Sequence, residues 1–215
     1  KIAESDLEES NKAFGFVGFI YHNLMTLLFS LMAILIVPFV RVYTAGIDDA
    51  NYVQPLFAIL MVSGYYIDNL RIPYHVVIKA AGHYKQTQTS AIIEASLNVI
   101  VTLVLIKLSP LLAVSVGFLT AMIYRTVYYI WYLRDNILYR QVKTFLKYCV
   151  TDLLLIAIIV AASLLFSKYT VNNYFTWIIY ALALTTLSVI LDIFLCCLFY
   201  RAYFRSIWSF FKNRI

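Results

Sequence analysis

Long apolar runs dominate this chain, and none of them alternates between apolar and polar residues as a half-buried strand does. A helix needs about 20 mostly apolar residues to cross the roughly 30 Å hydrocarbon core of a bilayer. The fold class predicted from this pattern is all-α, a polytopic membrane helix bundle with six transmembrane helices. The six spans are predicted at about residues 14–40, 52–78, 88–106, 111–133, 149–167 and 173–200.

The composition agrees with a membrane protein and argues against a soluble one. The chain is 63% hydrophobic and 13% charged, and its mean hydropathy is +0.82, values outside the usual range of soluble domains. A net charge of +6 could suggest binding to nucleic acid. The basic residues are divided among the connections between spans, however, so we predict no nucleic-acid partner.

The distribution of lysine and arginine predicts the orientation of the chain. Most lie before span one, between spans two and three, between spans four and five, and after span six: Lys1, Lys12, Lys79, Lys85, Arg134, Arg140, Lys143, Lys147, Arg201, Arg205, Lys212 and Arg214. The other three connections hold one each, namely Arg41, Lys107 and Lys168. Because basic residues are enriched in cytoplasmic loops, both termini are predicted to be cytoplasmic.

The chain is predicted to contain four segments. Residues 1–134 hold the first four spans, and residues 149–200 hold two further spans. Between them, residues 135–148 place apolar side chains on one side of a helix and basic ones on the other, which predicts an amphipathic connector on the inner leaflet. Residues 201–215 form a basic cytoplasmic tail. The basic faces of both segments make membrane lipids a predicted partner.

Span two carries a polar stripe. Its members follow each other at three- to four-residue spacing and therefore share one helix face: Gly64, Asp68, Arg71, His75 and Lys79. Pro73 lies within this stripe and cannot donate a backbone hydrogen bond, so we predict a kink or local unwinding beside Arg71. Pro38 in span one is a second place where a kink could form.

The next two spans also present polar faces. Span three groups Thr87, Glu94, Asn98 and Thr102, and span four groups Arg125, Tyr129 and Tyr132. The predicted topology places the charged members of all three stripes in the cytoplasmic half of the membrane, where they could meet in one inward-facing cavity. A charge at that depth is costly, and this makes its residues functional candidates.

Two interpretations of these charges remain open. In the structural one, Arg71 pairs with Asp68 or Glu94 and Arg125 pairs with the other carboxylate. In the functional one, the forked guanidinium donors bind a phosphate-bearing substrate. Buried carboxylates such as Asp68 and Glu94 can also take up protons, which suits ion coupling.

No catalytic or metal-binding pattern is recognisable in the sequence. Ser/His/Asp and Cys/His arrangements, metal-ligand spacings and phosphate-binding glycine loops are all missing from it. We therefore predict that the protein is not an enzyme and has no cofactor. Seven further polar or sulfur-bearing residues have less specific interpretations. His75 and His83 are predicted to be solvated, Asp152 and Asp192 to make an inter-helix contact or a second polar site, and the three cysteines to serve packing.

Several ordered motifs resemble one transporter family. They are Pro38-Phe-Val, Tyr43-Thr-Ala-Gly46, Asp68-Asn-Leu-Arg-Ile-Pro73, Ala80-Ala-Gly-His-Tyr-Lys-Gln-Thr-Gln88 and Ala91-Ile-Ile-Glu-Ala-Ser-Leu-Asn98. Together they resemble the Wzx-like flippases, the polysaccharide exporters of the multidrug/oligosaccharidyl-lipid/polysaccharide superfamily. The resemblance covers about residues 35–135. Ser109-Pro110 departs from the glycine-rich turn that the family tends to have at that place.

This resemblance implies a C-terminal part of a larger transporter. The chain looks like the last six of fourteen helices, so an N-terminal helix bundle would be its missing partner. The family's members are flippases of the bacterial cytoplasmic membrane. By alternating access they move undecaprenyl-pyrophosphate-linked oligosaccharide for surface polysaccharide biosynthesis.

The resemblance also suggests roles for individual residues. Arg71, Arg125, Lys79 and Asn98 would bind the substrate, and Asp68 or Glu94 would bind a coupling proton or sodium ion. Three alternatives remain. They are a cation-coupled multidrug exporter of the same superfamily, a membrane-embedded glycan-processing enzyme, and a fragment that is inert without its partner.

Overall fold

The computed structural model of this chain describes residues 4–139, 142–166 and 169–199, and this part is helical and contains no strand. Its helices are α1 (Glu4–Tyr43), α2 (Pro55–Leu70), α3 (Ile72–Ala80), α4 (Tyr84–Leu105), α5 (Pro110–Asn136), α6 (Val142–Leu164) and α7 (Tyr174–Phe199). The all-α prediction is confirmed for these residues. The predicted basic tail at 201–215 lies outside them.

Five helices of the described part are long and apolar enough to cross a membrane: α1, α4, α5, α6 and α7. The remaining predicted span is divided between α2, of 16 residues, and α3, of 9 residues. Neither of these reaches the roughly 20 residues that a membrane crossing needs. The chain is therefore a multi-pass membrane protein by helix length and composition, and the count of six spans and the cytoplasmic termini stay predictions.

The boundary between α2 and α3 lies at Arg71. This residue keeps a near-helical backbone (φ −79°, ψ −15°), and Pro73 follows within the first two positions of α3. Helical bonding resumes at once, because the backbone N–H of His75 donates to the carbonyl of Arg71 at 3.0 Å. The predicted interruption beside Arg71 is thus confirmed. By contrast, α1 continues as a helix through Pro38.

Two helices organise the packing. Helix α5 contacts α2, α3, α4 and α6, and helix α1 contacts α2, α3, α6 and α7. The approach of α4 to α5 is especially close at Gly117, where a Cβ atom would lie 2.8 Å from the backbone oxygen of Asn98. Small residues at such crossings let two membrane helices approach closely.

An aromatic and aliphatic cluster closes one end of the bundle. It joins α1, α3, α5 and the turn after α5 through Phe14, Tyr74, Ile78, Tyr129, Ile130, Leu133, Ile137 and Leu138. Val142 and Phe145 pack against it. This packing explains a difference from the predicted connector at 135–148: residues 142–148 are the first turns of α6 and do not form a separate element. Where they lie relative to the membrane surface stays a prediction.

The contact at Gly117 predicts a specific loss of stability. We expect Gly117→Ala to lower the unfolding free energy by about 1–3 kcal/mol, because the added methyl group overpacks the α4–α5 crossing. Thermal unfolding of the purified protein in detergent measures the change. The matched control is Gly18→Ala, whose new Cβ would lie 3.6 Å from the nearest side-chain atom, in Tyr148. Equal stability of the two variants would contradict the expectation.

Candidate functional site

Four charged side chains from three neighbouring parts of the bundle meet beside the α2–α3 boundary. Nε of Arg71 donates to Oδ1 of Asp68 at 2.6 Å, and its Nη2 lies 3.8 Å from Oε1 of Glu94. Nη1 of Arg125 lies 3.4 Å from Oε2 of the same glutamate. We call Asp68, Arg71, Glu94 and Arg125 the charge cluster. Helical spacing had predicted a polar face on each helix, and the structure shows that these faces converge.

The members of the charge cluster are not equally buried. The side chain of Asp68 is 30% exposed, whereas those of Arg71, Glu94 and Arg125 are 19%, 18% and 8% exposed. Ion pairs gain strength as water is excluded. Glu94 is shared by the two arginines, and its negative charge therefore partly compensates the positive charges of both Arg71 and Arg125.

Arg125 is held in place but does not use all its donors. Its Nη2 donates to the Tyr129 hydroxyl at 2.6 Å, and its guanidinium lies 4.6 Å from the centroid of the Tyr129 ring. Its Nε and Nη1 atoms are buried and have no hydrogen-bond partner among the described residues. A buried donor without an acceptor costs about 1–3 kcal/mol, and more when it is charged. Nη1 keeps its ion pair with Oε2 of Glu94 at 3.4 Å, so Nε is the donor that has no polar partner among the described residues.

A basic cleft of about 300 Å³ adjoins Arg125. It is lined by parts of α3, α4 and α5: His75, Ile78, Lys79, His83, Tyr84, Lys85, Thr87, Gln88, Ala91, Arg125 and Tyr129. These residues include two lysines, one arginine and two histidines, and no carboxylate. Both histidines of the cleft contact tyrosines of α5. The ring of His75 stacks on that of Tyr129 with 5.3 Å between centroids, and Nδ1 of His83 lies 2.8 Å from the Tyr132 hydroxyl.

The chemistry of the basic cleft suits an anion with several oxygen acceptors. Arginine offers forked donors that match phosphate oxygens, and lysine adds positive charge without fixed geometry.

Among the residues whose side chains the structure describes, no group of three or more His, Cys, Asp or Glu could hold a metal ion.

The predicted substrate residues do not all reach the same place. Lys79 and Arg125 line the basic cleft, and Arg71 joins Arg125 through Glu94. Asn98 does not line the cleft. Its Oδ1 accepts from the Thr102 hydroxyl at 3.5 Å, and its backbone lies against Gly117 at the α4–α5 crossing. The structure thus places Asn98 in helix packing, one turn beyond Glu94.

A second polar cluster, between α1, α2 and α6, includes a residue that sequence reasoning missed. His22 Nδ1 lies 2.7 Å from Oδ2 of Asp152, to which the Tyr66 hydroxyl also donates at 3.1 Å. Asp192 accepts from Asn23 of α1 at 3.0 Å. The prediction that Asp152 and Asp192 make inter-helix contacts is confirmed. His22 could have been found by the same criterion, as a polar residue inside an apolar span.

Comparisons with protein-family models, with curated proteins and with solved structures found no match for this chain. The resemblance to the Wzx-like flippases accordingly rests on the sequence motifs and stays a prediction. The fold and the cleft define a broader class. This is a helical multi-pass membrane protein that carries a basic cleft beside a buried charge cluster.

The shared position of Glu94 predicts unequal effects of two carboxylate substitutions. We expect Glu94→Gln to lower the unfolding free energy by roughly 2 kcal/mol, because it leaves two largely buried guanidinium groups facing each other with less compensation. Asp68→Asn is the matched comparison and should cost less, because Asp68 is the more exposed carboxylate and Arg71 keeps Glu94. Thermal unfolding in detergent distinguishes them. A larger loss for Asp68→Asn would contradict this assignment of the central carboxylate.

Proposed function

We propose that this chain is part of a flippase that translocates undecaprenyl-pyrophosphate-linked oligosaccharide across the bacterial cytoplasmic membrane for surface polysaccharide biosynthesis. In this proposal the chain acts as a transporter and catalyses no covalent step. The sequence motifs support the family, and the basic cleft supports an anionic substrate.

The observation that carries the proposal is the position of Arg125, which lines the basic cleft and has an Nε donor without a hydrogen-bond partner among the described residues. An arginine that served only an internal ion pair would be expected to direct its donors at protein acceptors, because an unmet buried donor is costly. Arg125 instead leaves Nε without a hydrogen-bond partner among the described residues, and its Nη1 makes an ion pair with Glu94 at 3.4 Å without a hydrogen bond. Pyrophosphate oxygens bound in the cleft would give this guanidinium a second acceptor besides Glu94, through a strong charged hydrogen bond.

The surrounding charges suit capture of the same anion. Lys79 and Lys85 line the cleft and would attract a pyrophosphate group toward Arg125. Asp68 and Glu94 would balance the arginines while the cleft is empty. If one of these carboxylates bound a coupling ion, it would release its arginine to the substrate, and this would link ion binding to substrate binding.

The division of α2 from α3 supports a conformational role for this region. Broken helices at membrane depth commonly line a cavity. Helices α2 and α3 together cover residues 55–80, about 39 Å at 1.5 Å per residue, and would form the second of six spans. Six spans with cytoplasmic termini would open the basic cleft to the cytoplasm. A missing N-terminal bundle would supply the opposite wall for alternating access.

The multidrug exporter is less well supported as an alternative. Such an exporter would be expected to present an acidic cavity to a cationic drug. The two carboxylates next to the cleft are paired with arginines, and none lines the cleft itself.

Substitution of Arg125 in the full-length native gene tests the proposal. We expect Arg125→Ala to lower flipping at least about tenfold, since each lost charged hydrogen bond contributes about 1.5–3 kcal/mol. Arg125→Lys should retain part of the activity, because it keeps the charge and loses the fork. Accumulation of lipid-linked glycan on the cytoplasmic leaflet, at matched expression, measures the defect.

A control substitution at another arginine, and measurement of the amount of each variant protein, complete this test. Arg41→Ala removes an exposed charge of α1 outside the cleft and should leave flipping unchanged. Equal loss of protein in Arg125→Ala and Arg125→Lys would indicate a structural role for Arg125. Normal surface glycan with normal amounts of Arg125→Ala protein would rule out this arginine as a substrate contact.

A further inference from the structure

The cluster around His22 and Asp152 lies outside the basic cleft and has no role in the function proposed above. It sits where α1 packs against α2 and α6, and none of its members lines the basic cleft. The side chains of His22 and Asp152 are 2% and 6% exposed. Two titratable groups buried this deeply inside apolar spans are expensive to keep.

The geometry around Asp152 defines a proton-binding arrangement. Its Oδ2 atom lies 2.7 Å from Nδ1 of His22 and accepts from the hydroxyl of Tyr66 at 3.1 Å. The Tyr66 oxygen is 2.9 Å from that of Thr26. A carboxylate oxygen bonded to an imidazole nitrogen at this distance has one proton between them.

The other ring nitrogen of His22 supplies a place for a second proton. Its Nε2 is buried and has no hydrogen-bond partner among the described residues. The ring lies 4.9 Å from that of Tyr148 and 5.6 Å from that of Phe145, so aromatic groups of α6 cover it. Without this second proton the pair carries a net charge of −1, and with it the pair is an imidazolium and a carboxylate with no net charge. Burial penalises the unbalanced state.

Groups from the neighbouring helices affect the net charge that the His22–Asp152 pair favours. Tyr66 comes from α2, Tyr148 and Cys149 come from α6 itself, and Asp192 of α7 interacts electrostatically with Asp152. Helix α5 contributes uncharged residues such as Thr126 to the apolar cavity that Asp152 lines. Repulsion from a second carboxylate further disfavours a net negative pair.

The pair borders an apolar cavity. Asp152, Tyr66 and Cys149 line an apolar cavity of about 280 Å³ between α2, α5 and α6. Its apolar lining solvates a charge poorly, which favours the state of the pair that has no net charge.

We propose that His22 and Asp152 form a reversible proton-binding site, and that its protonation controls the packing of α1 against α2 and α6. Helix α1 also contacts α3 and α7, so a change in its packing would alter its contacts with these helices as well. Coupling of this site to substrate flipping rests on the proposed function. The site is distinct from the carboxylates of the charge cluster, which are paired with arginines.

Histidine NMR spectroscopy of the purified full-length protein in lipid nanodiscs tests the proton site without any transport assay. The signals of ¹⁵N-labelled His22 are identified as those missing from His22→Gln. We expect them to show a neutral ring at the alkaline end of a pH series and a doubly protonated ring at the acidic end. Asp152→Asn should abolish this change, because the imidazolium would then be buried without a counter-charge.

Two further variants keep this measurement decisive. Asp49→Asn removes an exposed carboxylate that accepts from Tyr52 and should leave the transition in place. Tyr66→Phe keeps both members of the pair and should also retain it, even if Asp152→Asn yields little protein. A His22 ring that stays in one state throughout the pH range, or that titrates identically in Asp152→Asn, would overturn the proposal.

The pH dependence of flipping tests the coupling separately. Wild-type protein should lose activity at least about tenfold on Asp152→Asn substitution, and the remaining activity should no longer vary with pH. Equal flipping by wild type and Asp152→Asn at every pH would overturn the coupling of this site to transport. Absence of flipping by the wild type at every pH would instead refute the proposed function, because the NMR transition does not depend on transport.

Discussion

Compensation of charge inside an apolar bundle is the constraint on which the rest of this structure depends. Glu94 lies between Arg71 and Arg125, and it joins the broken second helical segment to α4 and α5. Separating these helices would leave charged groups uncompensated in a medium that solvates them poorly. Arg125 makes its ion pair within the cluster and also lines the basic cleft, which has no carboxylate among its lining residues.

A second polar layer ties the remaining helices to the bundle. His22 and Asn23 of α1 hydrogen bond to Asp152 of α6 and Asp192 of α7. Helix α1 therefore belongs to two units, since it also packs on α2 and α3. The sequence divides the chain into a segment of four spans and a later segment of two further spans. The structure connects them through α1 by buried polar contacts, which are more specific than apolar packing in lipid.

Much of the candidate site could be predicted from residue spacing. The polar stripe on span two and the proline that follows Arg71 were sufficient to predict an interrupted helix there, because both effects are local. The interpretation of Asn98 as a substrate residue shows where such reasoning ends. Spacing placed it on the same face as Glu94, and only the tertiary structure shows that it lies against Gly117 at the α4–α5 crossing; its substrate role stays a prediction.

The sequence by itself determined that the chain is helical, that most of its helices are long enough for a membrane, and which residues share a face. These properties depend on neighbours within a few turns. Only the tertiary structure decided which faces meet, that Glu94 is shared by two arginines, and that His22 pairs with a residue far along the chain, Asp152. Helix periodicity sets the direction of a side chain around its own axis but carries no information about the helix across from it.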